Sequence, residues 1–296
     1  MEARRGTSLS QYRHQGTRAV RRCRALVVGL VIGASPNLLV AQARTVTSSI
    51  GMEFVLIPPG TIRVGEFAPE CPPLVQQGTP RANGWTAADH ARCAEMAKHD
   101  ASPGFLTTIA RPYYIGRYEV TQGEWKRVMG ANPSVYQGAR VADAADRHPV
   151  DNVTWNDAQA FVRRLNVVDS TAHYRLPTEF EWEYAARAGA AGEPSWSAIR
   201  ASAWEQDVDL GGTHTVGGKQ PNAWGVYDML GNVWEWVADV YNERLFADSV
   251  PATRGSTHVL KGGSFVSDVK NTTWSTHAGG PGSGFDVGFR IVREVR

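Results

Sequence analysis

Cysteine is scarce in this sequence: three residues, Cys23, Cys71 and Cys93, in a chain of 296. No apolar run reaches the ~20 residues that a helix needs to cross a bilayer. Neither sign of charge dominates, with 31 Lys+Arg against 29 Asp+Glu. There is no basic stripe of the kind that follows a phosphate backbone, so nucleic acid is not an expected partner. The nucleophile elbow Gly-x-Ser-x-Gly, the phosphate-binding P-loop and the glycine fingerprint of dinucleotide sites are all missing. Among His90, His99, His148, His173, His214, His258 and His277 no two stand four apart on a helix, which removes the commonest helical metal pair. No sequence repeat and no heptad pattern occurs.

What is present begins with an unusual leader. Residues 1–24 hold seven arginines and one acid. They are followed by the apolar stretch Ala25 to Ala34 and the small-residue site Ala41-Gln42-Ala43. That order reads as a secretory signal over residues 1–43, with an uncleaved anchor as the alternative. Arg21-Arg22 is a poor match to a twin-arginine signal. Cys23 precedes the apolar run, the wrong place for a lipoprotein cysteine. Taking the seven arginines and one acid from the totals leaves 24 basic and 28 acidic residues. The part that follows is therefore mildly acidic, and it is expected to be exported, periplasmic or secreted, and free of the membrane after cleavage.

In an exported chain the remaining pair, Cys71 and Cys93, reads first as a disulfide. It would staple the insertion 66–104, rich in Pro, Gly, Ala and charge. The competing reading adds His90 and His99 to make a Cys/His metal site.

Along the chain, short elements alternate with long loops. Met52–Pro59 reads as a strand with a proline stop, and Gly60–Gly65 as its hairpin partner. Phe105–Ile109 and Tyr113–Ile115 are strand-like. Thr121-Gln-Gly-Glu is a capping box that opens a helix ending at Met129. Thr154 or Asn156 caps a helix through Leu165, whose apolar face is Ala158, Phe161, Val162 and Leu165. Thr178 with Glu181 is a second capping box, opening the helix Glu179–Arg187. Its acids Glu179, Glu181 and Glu183 suit the positive end of the helix dipole. From Ala190 to Gln220 just one stretch, Thr213–Val216, looks like a strand. Val259–Phe265 reads as a strand running into a glycine turn, and Gly288–Val292 as a final buried strand. Three modest helices among many short strands give an α+β class with high loop content, organised as one domain over 44–296.

The densest stretch is NAWGVYDMLGNVWEW, residues 222–236. Two glycines and aromatics without a 3.6-residue repeat argue against a helix. A buried loop must satisfy its carbonyls. A hard cation would do so, and Asp228, the carbonyls of Gly231 and Val233, and Glu235 offer oxygens suited to calcium.

Several motifs in order resemble the formylglycine-generating enzyme / sulfatase-modifying-factor (FGE-sulfatase) family. They are PYYIGRYEVTQGEW (112–125), HPVDNVTWNDAQAF (148–161), YRLPTEFEWEYAARAG (174–189), the loop just quoted, KGGSF (261–265) and GFRIV (288–292). The resemblance covers about residues 50–296 apart from the insertion. It implies one irregular C-type-lectin-like domain with bound calcium, and it supports Asp228, Gly231, Val233 and Glu235 as ligands. The family's other calcium site would fall near 203–217, where no ligand set is matched.

The resemblance also implies copper held by two cysteines just after the GGSF turn. Here those positions are Ser267 and Thr272. Hydroxyls are poor ligands for Cu(I), which selects soft thiolates. Copper-dependent formylglycine chemistry is therefore not expected. Ser267, Asp268, Lys270, Asn271 and His277 would line a polar pocket in its place, or form a solvated loop. The expected function is an exported, calcium-stabilised family domain that binds a peptide, a protein or a small envelope ligand, or catalyses a non-standard reaction. Alternatives are an oxidoreductase acting on a protein side chain or secondary metabolite, and a structural envelope component.

Overall fold

Pro58 and Pro59 separate the strand Glu53–Ile57 from the strand that follows it. The computed structural model describes residues 45–67, 86–100, 102–141, 143–206, 211–268, 272–280 and 282–295. Strand β2 (Glu53–Ile57) is flanked by β1 (Thr45–Thr47) on one side and β5 (Tyr113–Gly116) on the other. Both edges of β2 are used, so the chain after the prolines has no room to fold back on it. Strand β3 (Gly60–Phe67) instead pairs with β4 (Ser102–Ile109), which corrects the hairpin expected between Met52–Pro59 and Gly60–Gly65. The two strands extend as an antiparallel ribbon, and the insertion between them carries helix α1 (Ala87–Asp100).

The main sheet is completed by β11 (Val292–Glu294) and β6 (Tyr174–Arg175), in the order β1-β2-β5-β11-β6. A second sheet has the order β10-β7-β8-β9. Its members are β10 (Val287–Phe289), β7 (Trp234–Val240), β8 (His258–Lys261) and β9 (Ala278–Gly280). The single strand expected over 288–292 is thus two. Phe289 pairs with Trp236 in one sheet and Val292 with Ile115 in the other, so Arg290 and Ile291 make the crossing. Thr213–Val216 is not a strand either. The backbone of His214 is bonded by the side chain of Asn232, and the Val216 N–H donates to the Arg147 carbonyl, so no neighbouring strand can use those groups.

Two capping boxes place helices as the sequence indicates, α2 (Gln122–Met129) behind Thr121 and α4 (Glu179–Arg187) behind Thr178; of the two caps open for α3 (Trp155–Val168), the structure uses Thr154, which also forms a capping box with Asp157. Two short helices, α5 (Trp196–Ser202) and α6 (Leu245–Asp248), lie in segments without periodicity. The larger core cluster buries Phe54, Trp125, Phe161, Leu165 and Trp236 between α2, α3 and the sheets. The other packs Trp182, Ile115, Met229 and Val237 under α4. The described residues all fall within one unit, Ala41–Arg296. Among them no helix is long and apolar enough to cross a membrane.

Candidate functional site

The 222–236 loop is shaped by four residues with positive φ, Gly225, Asp228, Gly231 and Asn232. Asp and Asn tolerate that region better than other side chains, and glycine enters it freely. Gly231 has a second constraint, because a Cβ there would lie 2.1 Å from the Trp204 carbonyl oxygen. Three carboxylates at and around these turns are buried and feel one another's charge. Glu119, Asp228 and Glu235 are each 2% exposed or less.

Glu235 leaves the loop at the start of β7 and meets Arg290 in a two-point ion pair, at 2.7 and 2.6 Å. Its Oε2 also accepts from the Trp182 indole N–H at 2.6 Å. Arg290 is fully buried and donates to the carbonyls of Gly116, Tyr227 and Asp228 as well. Asp228 accepts from the Gly217 N–H through Oδ2 at 2.6 Å, and its Oδ1 is buried with no partner. Burial pushes the Asp228 carboxyl up to about 6, against the Gly217 hydrogen bond and Arg290. Burial, with Asp228 and Glu235 nearby, pushes Glu119 well above the usual carboxylate range.

These residues fit a calcium ion. Three carboxylates face one guanidinium, and the orphaned Asp228 oxygen is shut off from water. Glu235 keeps accepting capacity, since an ionised carboxylate has about four lone-pair sites. Among the described residues no three His, Cys, Asp or Glu side chains converge as a ready metal cluster. The expected set does not need one, because it combines two carboxylates with main-chain oxygens.

The positions where the family's thiolates would stand do not fit copper. Ser267 Oγ accepts from the Ser264 N–H at 2.9 Å and lies 3.3 Å from the Ser264 hydroxyl. Ser264 in turn donates to Asp286 at 2.7 Å. Thr272 is fully buried and donates to the Asp268 carbonyl at 3.1 Å. Both hydroxyls are tied into their own turn, and neither is a soft donor. Beside this turn Tyr136 packs edge-on against Phe265, with the half-exposed Phe285 near both rings. Lys270, Asn271 and Cys71 lie outside the described residues, so the Ser267–Lys270 grouping and the disulfide are not placed. Cys93 belongs to α1.

His277 does not join Ser267. Its Nδ1 lies 2.7 Å from Glu179 and its Nε2 3.1 Å from the Asn242 carbonyl, with the ring stacked on Tyr241. Glu179 and Glu183 are also not the exposed dipole partners that their place on α4 suggests. Both are fully buried around Lys261, whose Nζ lies 3.5 and 3.2 Å away. Burial alone would raise the Glu179 carboxyl, but Lys261 and His277 hold it below its ordinary value. Glu181 alone among the three behaves as expected, capping α4 and pairing with Arg175 at 2.6 Å. Sequence reasoning missed this buried cluster, as it missed Glu119 and Arg290. A lysine in a strand otherwise made of buried residues (VLKGG) was the available signal.

His148 is buried and bonded to Thr213 and Asp143. His214 stacks on Trp204.

Residues 41–295 match the model of the sulfatase-modifying factor enzyme 1-like domain. The chain belongs to the FGE-sulfatase family. It is 36% identical over 173 residues to a formylglycine-generating enzyme of Streptomyces coelicolor, covering 48% of this chain and 50% of that one. It therefore spans about half the length of that relative. It is 30% identical over 238 residues to the chaperone protein LppX of Paenibacillus barcinonensis, covering 61% of this chain and 80% of that one. PvdO from Pseudomonas aeruginosa has the same fold, with a TM-score of 0.64 at 24% identity over 86% of this chain and 99% of that one.

Proposed function

We propose that this chain is an exported, calcium-stabilised domain of the FGE-sulfatase family that has given up copper chemistry and binds a peptide or small envelope ligand. The observation that carries the reading is the replacement of the thiolate pair by Ser267 and Thr272, both held in hydrogen bonds within their own turn. Asp228 and Glu235, with the carbonyls of Gly231 and Val233, would hold the calcium, which supplies rigidity and no reaction step. The ligand surface is the rim of the Ser264–Ser267 turn, where Tyr136 and Phe285 offer apolar faces and Asp286 an acidic one. Loops carried on a rigid frame suit such a role.

Metal analysis of the purified protein, joined to oxygen-consumption and peptide-binding assays, tests this. Calcium at one per chain, saturable peptide binding and no oxygen uptake are expected. Copper or iron at one per chain with oxygen uptake would overturn the reading. It would favour instead an oxidoreductase of protein side chains, the alternative supported by the relative named as a formylglycine-generating enzyme.

A further inference from the structure

We infer that the cavity bounded by the end of α4, helix α5 and residues 220–230 binds an uncharged molecule with a slender aliphatic chain and a carbonyl oxygen, the carbonyl turned to Arg187. The cavity shares no lining residue with the rim of the Ser264–Ser267 turn, and of the proposed calcium ligands Asp228 alone borders it. The inference rests neither on the peptide reading nor on calcium.

The cavity measures about 550 Å³, within the ~300–1,000 Å³ of small-molecule sites. Close-packed interiors fill such spaces unless something holds the walls. Here hydrogen bonds do. Helix α4 stops at Arg187, where Ala188 takes a left-handed backbone. The Asn222 side-chain amide donates to the Ala185 and Ala186 carbonyls at 2.8 and 3.2 Å, fixing the central loop to that helix end. The Gln220 N–H donates to the Ala201 carbonyl at 3.2 Å, fixing the same segment to α5. Eight of the twenty lining residues are alanine or glycine. Their short side chains leave the space open without offering it polar groups, which suits a thin apolar chain.

Arg187 supplies the polar end. It is the one Lys or Arg of the lining, and its side chain is 9% exposed. Its Nε and Nη2 both donate to Oε1 of the fully buried Glu183, at 3.1 and 2.6 Å. Nη1 has no partner among the described residues and is left for a ligand. Glu183 already balances the guanidinium, so a ligand carboxylate would be a buried charge with no counter-charge of its own. An ammonium group carries no lone pair for Nη1. The acids of the lining do not call for one either. Glu193 stands in the exposed mouth, where solvent screens it. The unpartnered oxygen of Asp228 is closed off. A neutral carbonyl accepts from Nη1, a charged donor, and adds no charge to the cavity.

The test is methyl NMR of the purified chain carrying 13C-methyl methionine, in calcium buffer at neutral pH. It is titrated with hexanamide and, separately, with hexanoate and hexylamine. Met229 lines the cavity, whereas Met52 and Met129 do not. Hexanamide is expected to shift the Met229 methyl saturably and to leave Met52 and Met129 in place. Hexanoate and hexylamine should bind at least about 10-fold more weakly, since one buries a charge and the other lacks an acceptor. Arg187→Lys keeps a cation beside Glu183 and gives up Nη1; it should weaken hexanamide about 10-fold, one hydrogen bond to a charged donor. Ala198→Phe with Ala201→Phe, at exposed positions of α5, fills the mouth and should abolish the Met229 shift. Circular dichroism follows folding, and the mouth variant with the ligand series carries the test if Arg187→Lys does not fold. Hexanoate or hexylamine binding as tightly as hexanamide overturns the proposal. So does a Met229 methyl that hexanamide does not move, or a shift that persists unchanged in both variants.

Discussion

Glu235 and Arg290 form a two-point ion pair with both partners 1% exposed or less, and it joins the central loop to the crossing between the two sheets. Removing one member of a buried pair strands the other without solvent. Arg290→Leu should therefore destabilise the fold by about 3–5 kcal/mol. Urea denaturation at neutral pH measures it, and a change under ~1 kcal/mol would show that the pair contributes little.

The orphaned oxygen of Asp228 gives a second expectation. Chelation should lower the melting temperature of wild type. Asp228→Ala should start from a lower value and respond far less to the chelator, since binding to the native state alone stabilises it by mass action. Equal sensitivity in the two proteins would place the calcium elsewhere.

Asp151 is buried, accepts from the N–H groups of Val135 and Tyr136, and is pushed by burial from 3.8 up to about 6. A raised carboxyl favours the protonated native state. Its contribution to stability is present below the unfolded value and is lost as pH rises through the folded one. Wild type should lose up to about 3 kcal/mol from this group between pH 4 and 6. Asp151→Asn should remove that slope, and unfolding curves of the two proteins across the window would reveal it; parallel slopes would rule it out.

Lys261 sits between Glu179 and Glu183 with no exposed surface. Lys261→Met should destabilise by several kcal/mol, because two carboxylates lose their shared counter-ion. Adding Glu179→Gln should recover part of the loss, because Glu183 keeps the Arg187 guanidinium at 2.6 Å whereas Glu179 has no second Lys or Arg partner. Thermal melts of the single and double variants decide it: no recovery would mean that Lys261 acts through packing alone.

Non-reducing peptide mapping should find Cys71 joined to Cys93, as export would favour. Two free thiols there would revive the metal reading with His90 and His99.

Much of this protein was legible because local chemistry is written locally. The capping boxes at Thr121 and Thr178 need a hydroxyl and an acid three residues apart, and both helices start where that spacing puts them; the middle helix, left open between Thr154 and Asn156, starts behind Thr154 with a box closed by Asp157. The motif order named the family. Strand pairing was less legible. Nothing near Gly60 says that β2 has both edges filled by β1 and β5, or that its partner is β4 more than thirty residues on.

The site divides the same way. The sequence by itself determined the oxygen carriers of the loop, Asp228 and Glu235, and the glycine turn between them, because these lie within eight consecutive residues. Only the tertiary structure brought in Glu119, Asn232's hold on His214, and Arg290, and only it turned Glu179 and Glu183 inward onto Lys261. The physical reason is that a buried charge takes its meaning from its counter-charges, and here those come from strands and turns distant in sequence.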